Sequence, residues 1–179
     1  MTSSKIRGRV WKFGDHVDTD QIIPAKYCNT FDAEALALHV MEGADPEFAR
    51  KVAPGDILVA GRNFGCGSSR EAAPLAIKAA HIEVVIAHSF ARLFFRNAVN
   101  VGLPVLVSPA AAEKIEQGEE LEVDVTGGII YSRTANLGYR ARQFTGIVQE
   151  IIDSGGMVGY VREHLQADHR KSRETPKSG

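Results

Sequence analysis

The residues best placed to do chemistry lie in one glycine-rich segment, residues 61 to 71, which reads GRNFGCGSSRE. Its candidate groups are two glycines, two serines and an arginine: Gly65, Gly67, Ser68, Ser69 and Arg70. The glycines allow close approach to the backbone, the serines offer hydroxyl groups, and the guanidinium suits a carboxylate or a phosphate. Since free N–H groups at the start of a helix also attract anions, this segment indicates a site for an organic anion.

Several well-known loops do not fit this segment. A Walker loop ends in Gly-Lys-Ser or Gly-Lys-Thr, a dinucleotide fingerprint needs a glycine where Arg70 stands, and a hydrolase elbow needs a second glycine after its serine. A plainer alternative is that Ser68 or Ser69 only caps a helix, and the spacing leaves this alternative and the anion site equally open. Pro74 favours a helix that begins near residue 72 or 73, which would leave the Ser-Ser-Arg turn free.

An acidic segment precedes the glycine-rich one, where residues 16 to 24 read HVDTDQIIP. Asp18 and Asp20 stand two positions apart, so in an extended chain both carboxylates point the same way. Taken alone, this spacing favours an Asx-turn with solvated carboxylates. No spacing typical of a metal site is present, and we assign no metal to this chain.

A third segment, residues 88 to 97, reads HSFARLFFRN and predicts an amphipathic helix capped by Ser89. Its phenylalanines are expected in the core or in a subunit contact: Phe90, Phe94 and Phe95. Four histidines show no partner pattern and receive no role: His39, His81, His164 and His169.

The elements that must position these groups alternate between strands and helices. Apolar runs predict strands at residues 5–13, 56–60, 82–87 and 103–107, and helical patterns fall at 32–42, 70–80 and 89–100. This alternation predicts a parallel sheet that is buried on both faces. The glycine-rich segment then leaves the carboxyl end of a buried strand, where α/β proteins bind their ligands.

The second half of the chain changes character. It predicts a short helix at 110–117, a hairpin formed by 119–125 and 129–132, and two short helices at 147–152 and 158–165. We therefore expect a single domain over 1–165, followed by a polar, frayed tail over 166–179.

Composition excludes several classes of protein. The chain has 179 residues, of which 44% are hydrophobic and 24% charged, and its net charge is −1. This rules out a disordered chain and gives no drive toward nucleic acid or anionic lipid. No apolar run approaches the roughly 18 residues of a membrane span, and no secretory signal is recognisable, so we expect a cytoplasmic location. With two cysteines, Cys28 and Cys66, the chain cannot hold an iron–sulfur cluster by itself.

Three motifs in this order resemble one family. Asp18-Thr19-Asp20-Gln21-Ile22-Ile23-Pro24, the string from 61 to 71, and Ser89-Phe90-Ala91-Arg92 are similar to the small-subunit family of 3-isopropylmalate dehydratase, the swivelling domain of the aconitase superfamily. The resemblance runs from about Gly8 to about Leu165. The strings HVMEG at 39–43 and DPEF at 45–48 resemble its archaeal-type branch, shared by isopropylmalate and homoaconitate enzymes.

The resemblance implies an α/β, swivelling β/β/α fold with a mainly parallel buried sheet, a C-terminal hairpin and short helices. It implies a hydro-lyase of leucine biosynthesis that is active only with a large subunit, which carries a [4Fe–4S] cluster. The matched positions imply that Ser68 is the catalytic base and that Ser69, Arg70 and Asp20 bind the substrate. Gly65 and Gly67 would form the backbone of the anion loop, and Cys66 would serve packing.

The resemblance also implies that residues Tyr27, Cys28, Asn29 and Thr30 select the side group of the substrate. The family carries Tyr-Leu there, whereas this chain has Tyr27-Cys28, and no arginine occurs between Arg9 and Arg50. This favours isopropylmalate or a small methyl-substituted malate over homocitrate or citrate. A dehydratase of the 2,3-dimethylmalate or homoaconitate type, and a stand-alone module that binds organic anions, remain as alternatives.

Overall fold

A mixed sheet of seven strands organises the protein, whose computed structural model describes residues 5–174. The strands are β1 (Lys5–Lys12), β2 (Ile57–Ala60), β3 (Val84–Ala87), β4 (Val105–Val107), β5 (Glu120–Asp124), β6 (Ile129–Ser132) and β7 (Leu137–Arg140). Their order across the sheet is β4-β3-β2-β1-β5-β6-β7. Strands β1 to β4 pair in parallel, and β5 to β7 continue the sheet from β1 as antiparallel neighbours.

The predicted parallel pairing of β2, β3 and β4, the predicted strand at β1 and the predicted hairpin are confirmed. In β2 and β3 every residue is buried, which explains why both strands read as continuous apolar runs. The edge strand β7 was not predicted. Only Tyr139 of its four residues is buried, so the alternation of apolar and polar residues that marks a strand is absent there.

Eight helices accompany the sheet within the described residues. They are α1 (Thr19–Ile22), α2 (Ala33–Ala37), α3 (Phe48–Lys51), α4 (Ala72–Ala79), α5 (Arg92–Val101), α6 (Pro109–Lys114), α7 (Ile147–Asp153) and α8 (Met157–Glu174), with a 3₁₀ turn at Ala25–Tyr27. As predicted, Gly102 ends α5 in a left-handed conformation, with φ of 71°. The predicted helix over 32–42 is wrong beyond Ala37.

That helix ends early because the following backbone pairs with a distant segment. The N–H of Met41 donates to the carbonyl of Ile22 at 2.6 Å, and the N–H of Gly43 donates to the carbonyl of Gln21 at 3.1 Å. Gly43 is required there, since a Cβ on it would lie 2.7 Å from the Cα of Gln21. The turn after α2 is thereby fastened to the acidic segment of the site.

Each face of the sheet packs against its own hydrophobic core. Alternate residues of one strand divide between the two cores, as Leu58 and Ala60 do on one face and Ile57 and Val59 on the other. Side chains from α2, α4 and α5 complete the first core, and side chains from α6 complete the second. The predicted burial of the parallel sheet on both faces is confirmed.

The C-terminal region ends in α8, whose backbone is described as far as Glu174. The predicted polar tail of 166–179 begins inside this helix, and its last five residues lie outside the described residues. The division into a domain of 1–165 and a tail of 166–179 stays a prediction. Among the residues that the structure describes, no helix is both long enough and apolar enough to cross a membrane, and the cytoplasmic location also stays a prediction.

Candidate active site

Three loops meet at the carboxyl ends of β1, β2 and β3. The loop after β2 lies between the other two and bonds to both: the N–H of Gly65 donates to the carbonyl of Val17 at 2.8 Å, and the N–H of Phe64 donates to that of Ser89 at 3.0 Å. Bridges between Asp18 and Cys66, and between Phe64 and Phe90, extend the parallel pairing past the strand ends. The predicted location at the strand ends is confirmed for residues 61–71.

The two positive-φ glycines of this loop, Gly65 and Gly67, have different surroundings. Gly65 is buried with φ of +78°, and a Cβ on it would lie 2.2 Å from Cγ of Phe94. Its small size therefore makes room for the Phe64, Phe90 and Phe94 cluster, not for a ligand. Gly67, with φ of +89°, is exposed, and it alone of the two can let a ligand approach the backbone.

Ser68 and Ser69 lie in an exposed turn between this loop and α4. Helix α4 begins at Ala72, its N-cap residue is Glu71, and no side chain caps it. The interpretation of either serine as a helix cap is therefore wrong, and the start of the helix that Pro74 indicated is confirmed. In residues 5–174, the N–H groups of residues 67 to 70 donate to no other residue, so these four donors are available to a ligand.

Arg70 joins this turn to the acidic segment. Its Nη1 donates to Oδ1 of Asp20 at 2.7 Å and to the carbonyl of Ile23 at 3.0 Å. The guanidinium side chain is 16% exposed and the carboxylate 62%. The hydrogen bond from Arg70 holds the pKa of Asp20 below its ordinary value, and the same bond raises the pKa of Arg70.

The two aspartates of the acidic segment have separate tasks. The Asp18 carboxylate caps α1: its Oδ1 accepts from the N–H of Gln21 at 2.9 Å, and the Gln21 side chain accepts from the N–H of Asp18 at 3.0 Å. This capping box replaces the expected Asx-turn with solvated carboxylates. Asp20, two residues on, bonds to Arg70 and also accepts from the N–H of Ala25 at 3.2 Å.

The segment Tyr27 to Thr30 follows directly from that contact. Cys28 is half-buried, and its thiol donates to the carbonyl of Pro24 at 3.7 Å. Asn29 is exposed. The hydroxyl of Thr30 accepts from the N–H of Asp32 at 3.0 Å, where α2 begins.

Sequence reasoning missed two polar contacts at the site. Asn63 and His16 both adopt left-handed conformations, and Asn63 Nδ2 lies 3.3 Å from His16 Nδ1. Ser89 does not cap α5, whose N-cap residue is Ala91; its hydroxyl accepts instead from the N–H of Asn63 at 2.9 Å. Both contacts link residues 26 or more positions apart, so no local pattern could reveal them.

A second missed feature lies at the first residue of the 27–30 segment. Tyr27 and His39 stack with ring centroids 3.5 Å apart, and both contact the carboxylate of Glu42. The i, i+3 spacing of His39 and Glu42 is a local signal that could have indicated their pairing.

The thiols and carboxylates among the described side chains do not suit a metal centre. Within residues 5–165, whose side chains the structure describes, no group of three or more histidine, cysteine, aspartate or glutamate residues could hold a metal ion. The Cys66 thiol donates to the carbonyl of His16 at 3.6 Å and the Cys28 thiol to that of Pro24. An iron–sulfur cluster needs more thiolates than this chain has.

A large cavity lies elsewhere. It measures about 1270 Å³ and is lined by residues such as Gly55, Ile82 and Pro104, which precede β2, β3 and β4. It therefore opens at the amino ends of the parallel strands, away from Ser68 and Arg70. The chemistry of the side chains, not the size of the cavity, identifies the candidate site.

The chain is similar in sequence to several known proteins. Residues 37–110 match the family described as the aconitase C-terminal domain. The chain is 56% identical over 162 residues to a 3-isopropylmalate dehydratase small subunit of Aquifex aeolicus, covering 90% of this chain and 96% of the relative. It is 54% identical over 155 residues to the methanogen homoaconitase small subunit of Methanothermobacter thermautotrophicus, covering 87% and 89%.

A solved structure shares the fold. The crystal structure of 3-isopropylmalate dehydratase (leuD) from Methanocaldococcus jannaschii superposes with a TM-score of 0.90 at 44% identity, over 93% of this chain and 99% of that one.

Proposed function

This chain belongs to the family of 3-isopropylmalate dehydratase small subunits, and on that premise we propose that it is the small subunit of a hydro-lyase that interconverts 2-isopropylmalate and 3-isopropylmalate in leucine biosynthesis. Its identity of 52% to 56% to several proteins of that name, over most of its length, supports the assignment. The observation that carries the chemistry is the exposed Ser68, which lies in a turn of free N–H groups beside the Arg70–Asp20 ion pair.

Ser68 is the proposed base. Dehydration requires removal of a proton from the carbon next to a carboxylate, and hydration requires its return to carbon. A neutral hydroxyl is a weak base, so Ser68 needs surroundings that stabilise its alkoxide. The free N–H groups of residues 67 to 70 and the charge of Arg70 supply such stabilisation.

Arg70 is the proposed carboxylate-binding group. Asp20 and the Ile23 carbonyl both occupy its Nη1, and no hydrogen bond within the described range uses its Nη2 or Nε. The Nη2–Nε edge therefore has no partner among these residues, and its geometry suits both oxygens of a carboxylate. Asp20 orients this edge, and the Ser69 hydroxyl contributes a further hydrogen bond to the substrate.

The exposure of Ser68 and Ser69 is consistent with a partner that covers them. In the proposed enzyme a large subunit closes over this turn and encloses the substrate. That subunit is expected to carry the [4Fe–4S] cluster, which supplies Lewis acid chemistry at the leaving hydroxyl. The cluster cannot reside on this chain, since the thiols present do not suffice to bind it.

Residues 27–30 are the proposed determinants of substrate choice, because they directly follow the turn whose first N–H, that of Ala25, bonds to the Asp20 partner of Arg70. Neither Cys28 nor Asn29 offers a positive charge for a third carboxylate. We therefore favour isopropylmalate or a small methyl-substituted malate. The similarity to a homoaconitase small subunit supports a tricarboxylate dehydratase as the second candidate.

Reconstitution tests this proposal. The chain is mixed anaerobically with the cluster-bearing large subunit from the same source, and turnover of 3-isopropylmalate, 2,3-dimethylmalate, homocitrate and citrate is followed in parallel. We expect activity only when both chains are present, with 3-isopropylmalate preferred. Binding of a dicarboxylate by the isolated chain, with no turnover of any acid by the mixture, would instead support a stand-alone binding module.

A further inference from the structure

Glu42 is the centre of a cluster that holds one end of the 27–30 segment. Its Oε1 accepts a hydrogen bond from the Tyr27 hydroxyl at 3.0 Å, and its Oε2 lies 2.7 Å from Nδ1 of His39. The rings of Tyr27 and His39 stack nearly parallel, 6° apart. Lys26 adds its ammonium group 3.5 Å from Glu42 Oε1 and 4.7 Å from the centre of the Tyr27 ring.

The backbone just before this segment is held by the binding site. Asp20 accepts from Arg70 and from the N–H of Ala25, which begins the 3₁₀ turn leading to Tyr27. The start of the 27–30 segment is thus tied to the Asp20 carboxylate through Ala25 and to the Glu42 carboxylate through Tyr27.

This cluster contributes little to the stability of the fold. The side chains of His39 and Glu42 are 32% and 29% exposed, and ion pairs at such surface positions contribute little to the free energy of unfolding. The hydrogen bond with His39, more than those with Tyr27 and Lys26, lowers the pKa of Glu42, so the carboxylate stays ionised and accepts from these partners together at neutral pH. The main effect of the cluster is therefore to fix the positions of the side chains that it joins.

We infer that Glu42 is a positioning residue for substrate choice: through Tyr27 and His39 it sets where Cys28, Asn29 and Thr30 stand relative to Arg70. This inference rests on the proposed function, because it concerns the side-group pocket of the same site. Glu42 does not touch the substrate. Its effect falls on the discrimination between substrates that differ only in their side group.

Kinetics of the reconstituted enzyme provide the first test. Glu42→Gln keeps the size of the side chain but removes the charge that binds Tyr27 and His39. We expect the ratio of kcat/KM for 3-isopropylmalate over 2,3-dimethylmalate to change by roughly fivefold, about the factor for one net hydrogen bond. The change should lie in KM, since Ser68 is untouched. Tyr27→Phe should give the same change, and the double variant no more.

Glu34→Gln is the matched control. Glu34 is exposed on α2, and its carboxylate has no hydrogen-bond partner within residues 5–165. The variant therefore removes one charge near the 27–30 segment without breaking a contact that holds this segment. An unchanged ratio in Glu42→Gln, or the same change in Glu34→Gln, would overturn the inference.

A second readout does not depend on activity and so separates failure of this inference from failure of the proposed function. In a Cys66→Ser background, the reaction rate of the half-buried Cys28 thiol with a disulfide reagent reports the position of the segment. We expect Glu42→Gln to raise this rate about fivefold, and Glu34→Gln to leave it unchanged. An unaltered Cys28 rate in Glu42→Gln would contradict the inference even if the wild-type enzyme turned over no acid.

Discussion

Replacing Gly65 by alanine should destabilise this chain far more than the same replacement at a glycine in an open surface turn. Gly65 has φ of +78°, and an L-residue in that left-handed region costs roughly 1 to 2 kcal/mol. The new Cβ would also lie 2.2 Å from Cγ of Phe94, so the ring or the loop must shift by roughly 1.3 to 1.8 Å to reach van der Waals distance. Overpacking of this kind costs roughly 1 to 3 kcal/mol, which gives a total of roughly 2 to 5 kcal/mol.

Gly118 provides the matched control, because its φ of +82° is nearly the same and nothing lies within 4 Å of its Cβ position. Gly118→Ala therefore carries only the conformational cost, roughly 1 to 2 kcal/mol. The free energy of unfolding of both variants and of the wild type is measured by urea denaturation of the isolated chain, and the difference between the two variants isolates the contact with Phe94.

Equal destabilisation by the two substitutions would refute the close approach of Gly65 to Phe94. In the reconstituted enzyme, Gly65→Ala should also lower turnover, because the displaced loop carries Ser68 with it. Gly118→Ala should leave turnover unchanged.

Further outcomes follow for the ion pair at the site. The pKa of Asp20 should lie below the ordinary value of about 3.9 and move up toward it in Arg70→Ala, as followed by NMR titration of the Asp20 carboxyl carbon. Because this pKa is depressed in the folded state, the stabilisation by the pair is present above pH of about 3.9 and is lost as pH falls through the folded-state pKa. If the titration midpoint of Asp20 were the same in Arg70→Ala as in the wild type, the pairing would be contradicted. Arg70→Lys should raise KM by about tenfold or more in steady-state assays, with a smaller effect on kcat, because lysine lacks the Nη2–Nε edge; an unchanged KM would show that this edge does not bind the substrate.

The sheet could be predicted from sequence where burial is uniform. The residues of β2 and β3 are buried on both faces, so their apolar runs stand out from the polar loops around them. The start of α4 was predictable for a local reason as well, since Pro74 is tolerated only in the first turn of a helix.

Contacts between distant residues were not predictable in the same way. Helix α2 ends at Ala37 because Met41 and Gly43 pair with residues 21 and 22, which no local pattern records. Ser89 was predicted to cap α5 on residue type alone, but its hydroxyl bonds the N–H of Asn63 in another loop.

At the candidate site, too, the sequence indicated the residues but not the contacts between them. Ser68, Arg70 and Asp20 were selected by residue type and by resemblance, yet their spatial relation became visible only in the folded chain, where Arg70 and Asp20 pair across 50 positions. The contact of Tyr27 with Glu42 likewise required the turn after α2 to fold back.

Substitution of Ser68 by alanine tests the central claim most directly. Steady-state kinetics of the reconstituted dehydratase are measured for Ser68→Ala, with Ser154→Ala between α7 and α8 as the control for loss of a surface hydroxyl. If Ser68 transfers the proton, kcat should fall by roughly 10² to 10⁴ with little change in KM, while the control keeps wild-type kcat. A Ser68→Ala enzyme with wild-type kcat would contradict the assignment of this turn as the catalytic one.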